Sequence, residues 1–181
     1  DGKPALVKMG TSNKDLKPET QTEIEMGFDL NLMENTHKIE FTYYNKNVTD
    51  LLLLAPIHPT DKMPGVHYSN QNVGEMTNKG IELSISGRIL KSSDLELNYG
   101  FQFASNKNEV TKLNNPDEVI DNPGYQNVPT IKVGYEVGSF FAKKNGVKVF
   151  AGAPNPEYEW TFNLDGSWTE FSFGMMLNAK Q

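Results

Sequence analysis

Apolar and polar residues alternate with a period of two along most of this chain, and the alternating runs end at clusters of turn-forming residues. From Ile24 the residues Ile24, Met26, Phe28, Leu30 and Leu32 alternate with Glu23, Glu25, Gly27, Asp29 and Asn31, which predicts a strand with one oily and one wet face. A tight turn is expected around Glu34, Asn35 and Thr36. Ile39, Phe41 and Tyr43 then alternate with Glu40, Thr42 and Tyr44, and the pattern continues less regularly to the run Leu51 to Leu54. In NVGEMTNKGIELSISGRIL, Asn72 to Leu90, the residues Asn72, Gly74, Asn78 and Gly80 suit loop backbone. Strict alternation starts at Ile81, with Leu83, Ile85, Gly87 and Ile89 on its face and Glu82, Ser84, Ser86 and Arg88 opposite.

After a short turn at Lys91 to Ser93, Leu95, Leu97, Tyr99, Phe101 and Phe103 alternate with Glu96, Asn98, Gly100 and Gln102. Ile131 to Val137 alternates again. Tyr158, Trp160, Phe162, Leu164 and Trp168 face away from Glu159, Thr161, Asn163, Asp165 and Ser167. Beyond a turn at Thr169 and Glu170, Phe171, Phe173, Met175 and Leu177 alternate with Ser172, Gly174 and Met176. Two stretches lack any period: Ala55 to Lys79, punctuated by Pro56, Pro59, Pro64 and Gly65, and Asn114 to Pro129. Both are expected to be loops much longer than a hairpin needs.

Composition sharpens this picture. A hydrophobic fraction of 37% and a mean hydropathy of -0.54 are low for a buried globular core, yet 10% of the residues are aromatic. That pairing suits a barrel whose inner wall is polar. No apolar run approaches the roughly 18 to 20 residues a membrane helix needs. A strand of about 10 residues at roughly 3.3 Å each, tilted by about 40°, does cover an apolar band about 25 Å tall. Tyr43, Phe103, Tyr158, Trp168 and Phe171 fall toward strand ends, where aromatic girdles lie in membrane barrels. Alternation by itself equally describes a soluble sandwich or a barrel with an apolar interior. The polar faces of small residues, acids and amides, and the exchange of short turns with long loops, favour the membrane reading.

Several segments resemble the SusC/RagA family of TonB-dependent outer-membrane transporters. NKDLKPET, Asn13 to Thr20, resembles the family's NPxLKPExT lead-in, with Lys14 where proline is usual. NVGEMTNKGIE, Asn72 to Glu82, resembles NxGxxxNKGxE, which opens a barrel strand, and ASNKNEVTKL, Ala104 to Leu113, resembles SxNKNxVTxL at a strand end. VGYEVGSFFAKKNGV, Val133 to Val147, is similar to GxPxGSFYGYxxDG with Tyr135 and Glu136 near the expected proline, and a longer insertion common after it is missing. GAPNPEYEWTFN, Gly152 to Asn163, resembles GxPxPxWxxGFN. These motifs run in the family's order over nearly the whole chain. The resemblance implies an all-β fold, an antiparallel up-and-down meander forming a partial segment of a transmembrane β-barrel with long external loops. Residues 1–181 would be a fragment of a larger barrel, with the plug domain in sequence outside them, in keeping with a start that has neither an initiator Met nor a signal-like apolar stretch. It further implies import of large nutrients such as oligosaccharides or peptides. The expected partners are outer-membrane lipid, the rest of the barrel and plug, a SusD-like lipoprotein, and the TonB complex acting through the plug.

Candidate chemistry changes little. The net charge of -6 and the lack of a Lys/Arg cluster sized for a phosphate backbone argue against nucleic acid. The chain has no cysteine, which removes disulfides, thiolate metal sites and thiol catalysis. His37, His58 and His67 show no metal-binding spacing. Asn115, Asp117, Glu118, Asp121 and Asn122 are rich in hard oxygens but lack a calcium-loop pattern. Glu23, Glu25, Asp29, Glu40 and Glu82 are expected to line a wet wall rather than to form an acid/base pair. Asn47-Val48-Thr49 is a glycosylation sequon of little force in a bacterial outer-membrane protein. Tyr68 and Tyr125 are loop aromatics able to stack on a sugar or pack under a lid. No hydrolase elbow, Walker loop or dinucleotide fingerprint occurs, so no catalytic residue, metal site or cofactor is expected and the substrate-binding residues are unassigned. A soluble all-β binding module and an outer-membrane barrel with an adhesion role are the alternatives.

Short turns belong on the periplasmic side of such barrels and long loops outside. In a cysteine-free full-length parent, a membrane-impermeant maleimide applied to intact cells should label Gly65→Cys and Asn122→Cys. It should spare Asn35→Cys and Ser92→Cys until the outer membrane is permeabilised. Labelling of Asn35→Cys with protection of Gly65→Cys would invert this topology.

Overall fold

The computed structural model describes residues 13–57, 68–115, 119–121 and 129–181, and it is all-β. The strands are β1 (Thr20–Leu32), β2 (His37–Pro56), β3 (Tyr68–Lys91), β4 (Leu95–Leu113), β5 (Ile120–Asp121), β6 (Pro129–Ile131), β7 (Ser139–Lys144), β8 (Val147–Gly152), β9 (Tyr158–Trp168) and β10 (Phe171–Lys180). Six of them form one sheet in the order β1-β2-β3-β4-β9-β10, and the other four form a second sheet in the order β5-β6-β7-β8. The larger sheet is thus a meander into which the smaller one is inserted between β4 and β9. Among the described residues it is open, ending in β1 on one side and β10 on the other.

By packing, the chain divides into two compact units, and β1, β2, β3 and β4 contribute residues to both. One unit comprises residues 23–46, 78–108 and 153–181, which hold most of the strictly alternating runs. Its register follows the side-chain pattern. Leu95, Leu97, Tyr99, Phe101 and Phe103 of β4 lie opposite Trp168, Gly166, Leu164, Phe162 and Trp160 of β9. Phe171, Phe173, Met175 and Leu177 of β10 continue the row beside Trp168, Gly166, Leu164 and Phe162. Residues directly opposite in an antiparallel pair share a face, so three strands build one apolar surface. The apolar side chains of the edge strands lie open, with Ile24 and Met26 each 60% exposed and Phe171 72%. An apolar sheet face of this extent needs lipid or further protein to cover it.

The short turns agree with expectation. Met33, Glu34 and Asn35 take left-handed backbone, with φ of 51°, 54° and 65°, and Thr36 N–H donates to Met33 C=O at 3.0 Å. Thr169 (φ 51°) turns β9 into β10, and its N–H donates to Asp94 C=O at 2.7 Å. Arg88 N–H donates to Thr36 C=O at 3.1 Å. The turns near Asn35, Ser92 and Thr169 therefore gather at one end of the sheet.

The other unit comprises residues 1–22, 47–77 and 109–152, and its described part contains the small buried core. Ala55, Val73, Val110, Leu113 and Ile120 form that core, with Leu53, Ile131, Val133 and Val137 packed against it. Burial along β2 falls on Val48, then on Leu51 and Ala55, and continues at Ile57 just past its end. The change from even to odd positions occurs at Asp50, which has a φ of 55°, the signature of a bulge that inserts one residue and reverses the strand's faces. Asn72 ties the neighbouring segments together. Its side-chain amide donates to Lys17 C=O at 2.9 Å and to Asp50 C=O at 2.7 Å, and its side-chain oxygen accepts from Lys17 N–H at 2.9 Å.

Two expectations are corrected. The aperiodic stretch Ala55 to Lys79 is not loop throughout: β2 runs to Pro56 and β3 begins at Tyr68, so Asn72, Gly74, Asn78 and Gly80 are strand residues. Gly74 and Gly80 answer to close approach instead, since a Cβ would lie 2.2 Å from Lys112 C=O at Gly74 and 2.4 Å from Ser105 C=O at Gly80. Ile131 to Val137 is not one strand either. β6 ends at Ile131, and the following turns need the left-handed Gly134 (φ 82°) and Gly138 (φ 81°). Val110 N–H donates to Tyr135 C=O and Gly134 N–H to Val110 C=O, both at 2.9 Å, so this segment pairs with β4 through its turn. Beyond it, Asn145 and Gly146, with φ of 53° and 80°, make the two-residue turn that an Asn-Gly pair favours between β7 and β8.

The assigned faces have an energetic consequence. In the intact barrel, Phe101→Arg places a charge on the lipid side and should cost about 2 to 4 kcal/mol, whereas Gln102→Arg points into water and should cost little. Reversible unfolding in lipid measures both, and equal destabilisation would reject the faces.

Candidate functional site

On the side of the larger sheet away from the apolar surface, the register gathers a polar wall. Glu96, Asn98, Gly100, Gln102 and Ala104 of β4 lie opposite Ser167, Asp165, Asn163, Thr161 and Glu159 of β9. Met176, Asn178 and Lys180 of β10 continue the wall beside Asn163, Thr161 and Glu159. A concavity of about 590 Å³ lies on this wall, lined among others by Asp29, Glu40, Glu82, Gln102, Glu159 and Lys180. The acids Glu40 and Glu159 of this lining are matched by lysines of the same unit, Lys38 at 2.5 Å and Lys180 at 2.8 Å, and outside the lining Lys46 lies 3.2 Å from Glu23. These ion pairs are solvated and each contributes little to stability. Their effect is to present charge of both signs to water.

Two long side chains cross β3 where it carries glycine. On the polar wall, Tyr44 of β2 donates to Asn106 Oδ1 of β4 at 3.1 Å. A Cβ at Gly80 would come within 2.5 Å of the Tyr44 hydroxyl, so the bare backbone of Gly80 is the gap through which Tyr44 reaches. On the apolar face, His37 Nδ1 and the Tyr99 hydroxyl are 3.1 Å apart, and a Cβ at Gly87 would lie 2.3 Å from that nitrogen. Both bridges tie β2 to β4 over the strand between them.

The residues singled out by sequence divide as follows. Asp29, Glu40 and Glu82 line the concavity, and Glu23 pairs with Lys46 beside it, whereas Glu25 is an exposed residue of β1 outside the lining. His37 opens β2. Tyr68 opens β3 and is 37% exposed. Asn47, Val48 and Thr49 lie within β2, with Val48 buried. Asp121 ends β5, and Asn115 follows β4. His58, Gly65, His67, Asp117, Glu118, Asn122 and Tyr125 lie outside the described residues. Among the described residues no three or more His, Asp or Glu side chains are grouped to hold a metal ion. Sequence reading missed Lys180, one alternation beyond Asn178, and the pairing of Lys112 with Glu75 at 2.7 Å. There the hydrogen bond to the Glu75 carboxylate, and then its charge, raise the Lys112 pKa above its usual value.

A wall with one lipophilic and one hydrated face is the geometry of a membrane barrel, and the sequence matches the family described as TonB dependent receptor-like, beta-barrel, over residues 4–178. This chain belongs to that family. TonB-dependent receptor P3 of Formosa agariphila is 31% identical over 178 residues, which is 90% of this chain and 18% of that protein. TonB-dependent receptor SusC of Bacteroides thetaiotaomicron is 27% identical over 142 residues, 71% of this chain and 14% of that protein. The fold matches the solved RagAB peptide importer in its closed-closed state with a TM-score of 0.71 and 23% identity, covering 93% of this chain and 22% of that one. The RagAB peptide transporter matches with a TM-score of 0.68 and 22% identity, covering 88% and 21%. The chain thus spans between 14% and 22% of the length of these proteins. Family membership places the chain in the bacterial outer membrane and makes its larger sheet a segment of barrel wall. The soluble binding module is thereby set aside. The family is one of transporters and not of enzymes.

The glycine gap gives a direct test. Asn106→Ala should cost about 1 kcal/mol for the lost hydrogen bond. Gly80→Ala should cost more and should abolish the effect of Asn106→Ala, because the added methyl already parts Tyr44 from Asn106. Additive losses in unfolding of the double variant would show that Gly80 does not gate the bridge.

Proposed function

We propose that this chain contributes wall and outer loops to a TonB-dependent transporter that imports large nutrients, such as oligosaccharides or peptides, and that it performs no catalysis. The observation that carries the reading is the polar concavity lined by Asp29, Glu40, Glu82, Gln102 and Glu159 behind a sheet whose other face is apolar. Carboxylates, amides and lysines on such a wall keep a lumen wet without holding a solute tightly, which suits passage of a bulky polar cargo.

On this reading residues 1–181 are one stretch of a longer chain whose other strands and plug complete the barrel. Plugged transporters of this kind use about 22 strands, far beyond the six of the larger sheet. Outer-membrane lipid covers the apolar face, a SusD-like lipoprotein closes over the outer loops, and the TonB complex acts through the plug. The RagAB structures, solved as a peptide importer, lend support to peptide cargo, and the SusC relative shares the same barrel family.

The test is uptake by living cells. Deleting the gene for the full-length receptor should abolish energy-dependent uptake of at least one member of a panel of labelled oligosaccharides and oligopeptides, and a plasmid copy should restore it. Unchanged uptake of the entire panel, together with lost adhesion to surfaces, would overturn transport in favour of an adhesive barrel.

A further inference from the structure

Two pairs of residues share one chemical weakness. Asn145-Gly146 is the chain's single Asn-Gly pair, and Asp165-Gly166 is an Asp-Gly pair within β9. In each, the backbone nitrogen of the glycine can close a five-membered ring on the Cγ carbon of the residue before it. Glycine has no side chain to hinder that closure and leaves the backbone free to adopt it. Sequence alone marks the two pairs alike, and the structure separates them.

Asp165 and Gly166 are paired on both sides. Asp165 lies opposite Asn98 and Gly174, and Gly166 lies opposite Leu97 and Phe173. The Phe173 ring covers Gly166, where an added Cβ would come within 2.4 Å of it. Asp165 is exposed, so exclusion of water is not what protects it. Ring closure needs the Gly166 nitrogen to swing toward the Asp165 side chain, and that motion breaks the ladder to β4 and β10, whose opening is costly.

Asn145 and Gly146 stand at the opposite extreme. The last pair of the β7–β8 ladder is Lys144 with Val147, so the two turn residues lie beyond it. Both are exposed, and a Cβ at Gly146 would meet nothing within 4 Å. Their φ values of 53° and 80° are those of the two-residue turn, which is held by the ladder below it and not by packing of the tip. Such tips open locally at little cost. Lys143 and Lys144 precede the pair, and positive charge nearby favours loss of a proton from the attacking nitrogen.

We propose that Asn145 is a site of spontaneous deamidation, a modification that opens the tip of the β7–β8 hairpin as the protein ages. The Gly146 nitrogen gives its proton to hydroxide and bonds to Asn145 Cγ. The Cγ–Nδ2 bond breaks, and ammonia leaves after taking a proton from water. Water then opens the cyclic imide at either of its two carbonyls, with no change of oxidation state. Cleavage of the bond to Cγ leaves an aspartate, and an Asp-Gly pair suits the same turn as Asn-Gly. Cleavage of the bond to the main-chain carbonyl leaves an isoaspartate, whose main chain is one atom longer and runs through Cβ and Cγ. The two-residue turn does not accommodate that atom, so Lys144 parts from Val147. The base of the hairpin stays in place, because Phe141 and Phe150 meet Tyr135 there, with ring centres 5.0 to 5.8 Å apart. None of this depends on what the receptor transports.

The full-length receptor in nanodiscs is aged at mildly alkaline pH beside a portion unfolded in urea, and both are followed by peptide mass spectrometry. Isoaspartate is counted by the labelled methyl group that a protein isoaspartate methyltransferase adds to it. In urea both Asn145 and Asp165 should convert. In the folded receptor Asn145 should keep most of its unfolded rate, in proportion to hydroxide concentration, whereas Asp165 should lose nearly all of its own. Hydrogen exchange over residues 143–148 should quicken severalfold in the aged parent and stay unchanged in aged Asn145→Gln, with residues 141 and 150 steady in both. Protection of Asn145 in the folded receptor as complete as that of Asp165 overturns the site. Conversion to isoaspartate with unchanged exchange over residues 143–148 overturns the opening of the hairpin.

Discussion

The requirement that every backbone N–H and C=O at membrane depth find a partner governs this chain more than any single side-chain contact. Lipid offers no hydrogen bonds, so a spanning sheet must pair each strand on both sides. The meander β1-β2-β3-β4-β9-β10 satisfies that demand internally for its four central strands and leaves it outstanding at β1 and β10. Side chains are then sorted by the pleat. Once Phe101 lies opposite Phe162, Gln102 must lie opposite Thr161, and a slip of one residue would turn the oily row toward water. Register and chemistry enforce each other.

Within that frame the glycines of the larger sheet follow from the side chains around them. Gly80 and Gly87 of β3 are bridged by Tyr44 and His37. At Gly166 a Cβ would come within 2.4 Å of the Phe173 ring directly opposite, so the ring lies over bare backbone. Glycine inside a strand forfeits packing and backbone order. Here an aromatic or polar side chain from a neighbouring strand fills the space in each case.

How far sequence alone reaches depends on which physical rule sets each segment. Where one face meets lipid and the other water, the period of two is imposed on every residue, and the runs from Ile24, Ile39, Ile81, Leu95, Tyr158 and Phe171 were legible as strands with their faces. The short turns were legible from their Asn, Ser and Thr residues. Where that sorting does not act, the period is lost. Residues 47–56 and 68–77 are strand without a clear period, and there Asn72 and Gly74 answer to hydrogen bonding and close approach, which a single sequence does not display. Ile131 to Val137 misled for the opposite reason: Ile131 packs against the small core from the end of β6, but Val133 and Val137 do so from turns and not from a strand. The wall acids Asp29, Glu40 and Glu82 were identifiable from the alternation. Their lysine partners depended on side-chain reach, which periodicity does not encode.

The bulge at Asp50 also makes β2 a strand with two independent phases. A residue inserted or lost between Leu51 and Pro56 would shift which side chains enter the small core, yet the bulge can take up or release one position before the disturbance reaches Ile39, Phe41 and Tyr43. The strictly alternating portion of β2 is thereby insulated from changes of chain length beyond Pro56. Chain length beyond Pro56 can then change while Ile39, Phe41 and Tyr43 stay in register, so the two halves of one continuous strand answer to separate constraints.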